Sequence, residues 1–296
     1  MNNFFNNSER LFDEYIPFDV YVNNDCNLNC NSCVRFAKLF EHSEYPLDVF
    51  ENDLKRISSI APSTFLNLTG GEPLLNKNLI KYIEIASKYI TRIALSTNGI
   101  LLLNKNFDSR KLFNVLRKHN VVVNYSDYYP ELTEKIEKIF EENNIISINF
   151  SNYIKKLHST DGNLYFQNNR LCENRINLKI PFFHCKEVFG ALMYGKLYQC
   201  GKPLLSIEIN KRFKTNFKMA EDDFLDIFKI QSIEEIKNFY KRPKTFCGYC
   251  RDKARPLKHN NVTWSVHHTD LLSECVEFKQ VWFFVGLPLK KIHFIF

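Results

Sequence analysis

Apolar positions in the first half of the chain follow two periods in turn. The runs 18–23, 65–68, 92–96, 121–126 and 145–150 are short and apolar, the length of strands. Between them Leu47, Phe50, Leu54 and Ile57, then Leu79, Ile83, Ala86 and Ile90, and later Leu132, Ile136 and Ile139 recur at helical spacing. Such stripes predict helices with one core-facing side. Strands alternating with helices predict an α/β fold, a parallel sheet with helices outside it, in which ligands bind beyond the carboxyl ends of the strands. From about residue 170 the alternation stops. There, 188–194 and 196–199 predict a hairpin around Tyr194-Gly195, and Ser232-Ile-Glu-Glu235 is a capping box opening a helix over 233–240. Two parts are therefore expected, 1–170 and 171–296.

Composition narrows the class. With 296 residues, 45% hydrophobic and 25% charged, the chain is of globular type and can hold one large domain or a domain with an appendage. The first ten residues lack a basic start followed by an apolar core, so no secretory signal is expected. No run approaches the ~18 apolar residues of a membrane span, and the compartment expected is the cytoplasm. The net charge of +7 is not gathered into a stripe with interleaved aromatics, which speaks against nucleic acid and favours a small, anionic substrate. Nine cysteines in a chain without an export signal read as metal ligands before disulfides.

The cysteines carry the chemistry. Cys26, Cys30 and Cys33 form a Cys-x3-Cys-x2-Cys loop directly after the first strand run. Three thiolates so close can fill three iron sites of a cubane cluster and leave the fourth open. Structural zinc normally takes four ligands and an electron-transfer cluster four cysteines, so zinc with a distant fourth ligand stays an alternative. Thr69-Gly-Gly-Glu-Pro73 ends the second strand run and Ser96-Thr-Asn-Gly99 the third. Each is, by itself, also an ordinary turn signal.

Together, in this order and at these strand ends, the three stretches resemble the signature of the radical S-adenosylmethionine (radical SAM) superfamily. The resemblance implies a partial (β/α)6 TIM-like barrel. It implies a 4Fe-4S cluster on Cys26, Cys30 and Cys33 whose open iron is chelated by S-adenosylmethionine. Reductive cleavage then gives a 5′-deoxyadenosyl radical that abstracts a substrate hydrogen. By the same resemblance Gly70, Gly71 and Glu72 lie along the methionine end, with Glu72 accepting from the amine. Ser96 and Asn98 reach the ribose hydroxyls. Ser126, with Asn124, falls at the end of the fourth strand run near the methionine carboxylate, where a structural role serves equally well. Flavodoxin or ferredoxin is the expected electron donor. Ser32 departs from the pattern, since the family commonly has an aromatic residue there beside the adenine, and Phe36 is a substitute in reach.

A second set, Cys185-x9-Gly195-x4-Cys200 followed by Cys247-x2-Cys250, resembles the twitch domain, a shorter relative of the SPASM domain. This implies a small C-terminal α+β domain with an auxiliary, fully ligated 4Fe-4S cluster. A zinc knuckle uses the same four thiolates. Cys172 and Cys275 are left as small hydrophobes, with Cys172 a proton-transfer candidate. The apolar tail 281–296 would finish a second core. The expectation is a two-electron oxidation of a sugar, cyclitol or polyol. The alternatives are a peptide or protein maturase, and a zinc-stabilised binding protein without SAM chemistry.

Overall fold

The strand Ile16–Tyr21 (β1) is buried at all six positions, because it runs through the middle of the sheet with a strand paired on either side. Near-continuous apolar sequence is what such a strand needs, and Asp19 is its one charged residue. In the computed structural model residues 15–28, 33, 35, 37, 41–62, 64–126, 130–149, 177, 185 and 189–250 are described. Cys30, Ser32, Phe36, Cys172, Cys275 and the tail 281–296 lie outside them.

The remaining strands are Thr64–Thr69 (β2), Arg92–Thr97 (β3), Val122–Tyr125 (β4), Ser147–Asn149 (β5), Gly190–Met193 (β6), Lys196–Tyr198 (β7) and Phe224–Asp226 (β8). They form one sheet in the order β5-β4-β3-β2-β1-β6-β7-β8. Neighbours from β5 through β1 to β6 are parallel, and β7 and β8 are antiparallel additions. The α/β class and the parallel sheet agree with the expected TIM-like partial barrel. One arrangement has no signal in the sequence pattern. The sheet does not stop near residue 170: β6 joins the far side of β1, with Asp19 opposite Ala191, and carries the predicted hairpin into the same sheet.

Helices Leu47–Ile60 (α1), Leu79–Tyr89 (α2), Arg110–Lys118 (α3) and Pro130–Glu142 (α4) connect the parallel strands. Each buries a stripe at i, i+3 and i+4, for example Phe50, Leu54 and Ile57 in α1 and Leu79, Tyr82, Ile83 and Ala86 in α2. Their apolar faces cover one side of the sheet, where Tyr125 of β4 packs on Phe140 of α4 at 5.6 Å between ring centroids. Helix α3 has no counterpart among the predicted elements, since only Leu112, Phe113 and Leu116 of its nine residues are buried. Helices Lys202–Phe213 (α5) and Ile233–Tyr240 (α6) follow β7 and β8 along the chain. The capping box of α6 forms as expected, with Ser232 and Glu235 satisfying each other's backbone N–H groups.

On the opposite side of the sheet the half-buried residues are Phe65, Arg92, Ser96, Val122 and Asn124. Register brings Asp19 beside Asn67 and Ser96 beside Asn124. Asp19, Asn67, Ser96 and Asn124 thus line one face, and their strands' carboxyl ends open at one rim.

Candidate cofactor site

The cysteine loop leaves β1 through a neck that backbone pairing closes. Tyr45 N–H donates to the Val22 carbonyl (3.3 Å) and Asn24 N–H to the Ser43 carbonyl (3.1 Å), and an antiparallel bridge joins Asn23 to Glu44. Asn76 reaches across and donates to the Val22 carbonyl (2.9 Å). Cys26 and Cys33 are half-buried on this loop, and the Leu28 N–H points at the Cys26 sulfur (3.4 Å).

The Gly-Gly-Glu segment lies against the start of this loop. Gly71 N–H donates to the Asn23 carbonyl (2.9 Å) and Glu72 N–H to the Asp25 carbonyl (2.6 Å). Asn23 Nδ2 donates back to the Glu72 carbonyl (3.1 Å). The glycines permit a close approach, and here the partner is the loop itself: a Cβ on Gly71 would strike the Asp25 backbone and one on Gly70 the Asn23 carbonyl. Gly70 also has φ +152°, a conformation that L side chains rarely adopt.

Glu72 is 1% exposed. Its Oε1 accepts from Leu74 N–H (3.0 Å) and from the Thr97 hydroxyl (2.5 Å), and its Oε2 from Asn98 N–H (2.7 Å). Burial pushes its carboxyl above the ordinary range, and the donors from Thr97, Asn98 and Leu74 partly offset this. The carboxylate therefore clamps the end of β2 to the end of β3. Three donors leave one of its four acceptor positions. The Asn98 side chain completes the connection: its Nδ2 donates to Asn27 Oδ1 (2.8 Å) and its Oδ1 accepts from Ile100 N–H (3.0 Å). Gly99, at φ +70°, makes the turn that follows. Ser126 N–H donates to the Thr97 carbonyl (3.0 Å), which fixes the β4 end against the β3 end.

Behind these loops runs a polar row that motif reading missed. Arg35, two residues past Cys33, pairs with Asp19 and donates to the Tyr21 hydroxyl. Its guanidinium lies 4.2 Å from the centroid of the Tyr21 ring. Asn67 Nδ2 donates to Asp19 Oδ1 (2.7 Å) and the Ser96 hydroxyl to Asn67 Oδ1 (2.9 Å). A charged residue inside the apolar run of β1 was the one sequence signal for it.

The second cysteine set spreads over three segments. Cys200 precedes α5, and the next residue, Gly201, is packed so tightly that a Cβ would meet the Tyr21 hydroxyl and Arg35 Nη1. This contact brings the Cys200 segment up to the first loop. Cys247 and Cys250 sit on the 3-10 turn Thr245–Tyr249 and its cap, where residues three apart project to the same side. Asp223 Oδ1 and Asp222 Oδ2 hold that turn by accepting from Phe246 N–H (2.6 Å) and Thr245 N–H (3.1 Å). Burial raises the Cys247 thiol to about 11, and the charges of Cys250 and Cys185 add to it, while the Lys244 N–H opposes. Among the described residues no three His, Cys, Asp or Glu side chains converge on a single-ion position.

The donor chemistry fits the cofactors the motifs imply: two half-buried thiols of the first loop beside a glycine turn, with Glu72, Ser96 and Asn98 brought to the same rim. Comparison with known proteins agrees. Residues 20–126 match the model of the Radical SAM superfamily, and this segment is a radical SAM domain, a class that works with a 4Fe-4S cluster and S-adenosylmethionine. The chain is 31% identical over 129 residues to the "Probable GTP 3',8-cyclase" of Methanocaldococcus jannaschii, covering 43% of this chain and 42% of that protein. It is 35% identical over 97 residues to the GTP 3',8-cyclase of Clostridium acetobutylicum, covering 31% and 30%. The chain thus spans less than half the length of these curated relatives. Among solved structures, BtrN in complex with AdoMet and 2-DOIA aligns over 87% of this chain and 97% of its own, at 17% identity and a TM-score of 0.43. No helix among the described residues is long and apolar enough to cross a membrane.

Proposed function

We propose that this chain is a radical SAM oxidoreductase that removes two electrons from a hydroxylated small molecule, a sugar, cyclitol or polyol. One observation carries the catalytic half of this reading. Three motifs separated by dozens of residues are joined by Gly71 N–H to Asn23 O, Glu72 N–H to Asp25 O and Asn98 Nδ2 to Asn27 Oδ1 at one strand-end rim. When bound, a cluster and S-adenosylmethionine supply the 5′-deoxyadenosyl radical that takes a substrate hydrogen.

The chain's own residues hold and orient. Cys26, Cys30 and Cys33 are the proposed ligands of the first cluster. Gly70, Gly71 and Glu72 lie at the methionine end, with Glu72 offering the amine its remaining acceptor position. Ser96 and Asn98 take the ribose, and Ser126 stands by the methionine carboxylate. Cys185, Cys200, Cys247 and Cys250 are the proposed ligands of an auxiliary 4Fe-4S cluster, which makes the net reaction a two-electron one. The Cys200 segment's contact with Tyr21 and Arg35 supports placing both centres near one substrate. A flavodoxin or ferredoxin is the proposed one-electron donor.

The test is anaerobic reconstitution with iron, sulfide and zinc analysis, followed by reductive turnover. Wild type is expected to bind iron and sulfide and to form 5′-deoxyadenosine. Changing Cys26, Cys30 and Cys33 together to Ala is expected to abolish that product while leaving about half of the iron, since the four remaining cysteines suffice for one cluster. Unimpaired 5′-deoxyadenosine formation by the triple variant overturns the assignment. Zinc without iron in the wild type turns the reading to a zinc-stabilised binding protein. Because the named relatives share only part of their length with this chain, purine nucleotides belong in the substrate panel beside the polyols.

A further inference from the structure

The row Arg35, Asp19, Asn67, Ser96 has a direction. Asp19 is an acceptor only, 6% exposed, and already paired with Arg35. It forces the Asn67 amide to present Nδ2 toward β1 (2.7 Å), so Asn67 Oδ1 faces β3. Ser96 must then spend its single proton on Asn67 Oδ1 (2.9 Å). Toward the half-buried face of the sheet Ser96 therefore shows lone pairs and no proton. Asn67 is 8% exposed, which shields the exchange of partners from water and keeps the polarity fixed.

We infer that Asp19 and Asn67 are positioning residues that set Ser96 as a one-way acceptor for a ribose hydroxyl of the bound nucleoside, so that this subsite selects a donor. The inference deepens the proposed function and rests on it. Arg35, two residues past Cys33, extends the same row to the cysteine loop through its pair with Asp19.

Substituting Asp19→Asn reverses the row without changing its shape. The introduced amide must offer its oxygen to Arg35 and its nitrogen to Asn67. Asn67 then turns its oxygen toward β1 and its Nδ2 toward Ser96. Ser96 accepts that bond and its proton turns to the ligand.

The experiment is calorimetric binding of S-adenosylmethionine and of its analogues with the ribose 2′- or 3′-hydroxyl replaced by fluorine, which cannot donate, to anaerobically reconstituted holoprotein. Wild type is expected to prefer the natural cofactor over one analogue by about 3- to 10-fold, the worth of one hydrogen bond. Ser96→Ala is expected to remove that preference, and Asp19→Asn to shrink it. In the Ser96→Ala background Asp19→Asn is expected to have no further effect on the ratio, which a merely structural role would not produce. Asn67→Ala, which introduces no charge, should also shrink the preference and serves if Asp19→Asn fails to fold. Cofactor binding with wild-type ratios in Asn67→Ala or in a folded Asp19→Asn overturns this inference and leaves the proposed function standing. A reconstituted wild type that binds no S-adenosylmethionine overturns both.

Discussion

At the scale of single residues, two buried carboxyls do different work. Glu72 ties two strand ends together with three donors. In Glu72→Gln the amide oxygen can still accept from Leu74 and Thr97, but the amide nitrogen then faces the Asn98 N–H, donor against donor. A loss of about 1–3 kcal/mol in stability is expected, read from urea unfolding of the apoprotein. Asp53, 1% exposed, accepts from the Tyr45 hydroxyl and from Gly195 N–H (2.6 Å). It pins the β6–β7 turn, where Tyr194 and Gly195 both have positive φ, onto α1. Burial raises its pKa above 3.8, more than the bonds from Tyr45 and Gly195 lower it. The folded state therefore holds this proton more tightly than the unfolded state. The stability it contributes is fully present below about pH 3.8 and is lost as pH rises through the raised value. Asp53→Asn keeps the accepting oxygen and cannot ionise, so its stability relative to wild type should increase from acid to neutral pH. Urea midpoints of both proteins, measured across that range, check the sign.

At the scale of elements, the site depends on two loops fitting backbone to backbone. The motifs stand at the strand ends where the sequence puts them, and the glycines of the second motif also make a contact within the protein. Gly70 and Gly71 pack against residues 23–25. Gly71→Ala should thus act through the cysteine loop: its Cβ meets backbone, which cannot swing away. Lower iron content after reconstitution and weaker S-adenosylmethionine binding are expected, with little change in the far-ultraviolet circular dichroism because the sheet lies below the contact. Iron content equal to wild type would show that the loop absorbs the methyl group. Strands β1 to β5, α1, α2, α4 and the capped α6 were legible because each has a full apolar period or a local cap. The three buried positions of α3 make too short a stripe to stand out, and β8, at three half-buried residues, has no pattern of its own.

At the scale of the whole molecule, the continuous sheet puts the two cysteine sets on one framework. β6 pairs with β1, β7 leads to Cys200, and Gly201 abuts Tyr21 and Arg35. If Cys247 and Cys250 carry an auxiliary centre needed for the second electron, replacing both by Ala should leave reductive S-adenosylmethionine cleavage measurable while oxidised product disappears. Both products are quantified together, with circular dichroism to confirm folding, since metal binding and folding are coupled. A folded double variant that oxidises substrate at the wild-type rate would reduce the second set to a structural role.

The sequence by itself determined the alternating α/β order, the three cofactor motifs with Cys26 and Cys33 among them, and the hairpin with its later Cys-x2-Cys, because each is written in a local period or a short spacing. Only the tertiary structure decided that β6 lies beside β1, that Glu72 bonds Thr97 and Asn98, and that Asn67 bonds both Asp19 and Ser96. Those contacts join residues far apart along the chain, Glu72 with Thr97, Asp19 with Asn67 and Asp19 with Ala191, and no local pattern records which distant polar atoms will share a buried hydrogen bond when strands from separate parts of the chain come into register.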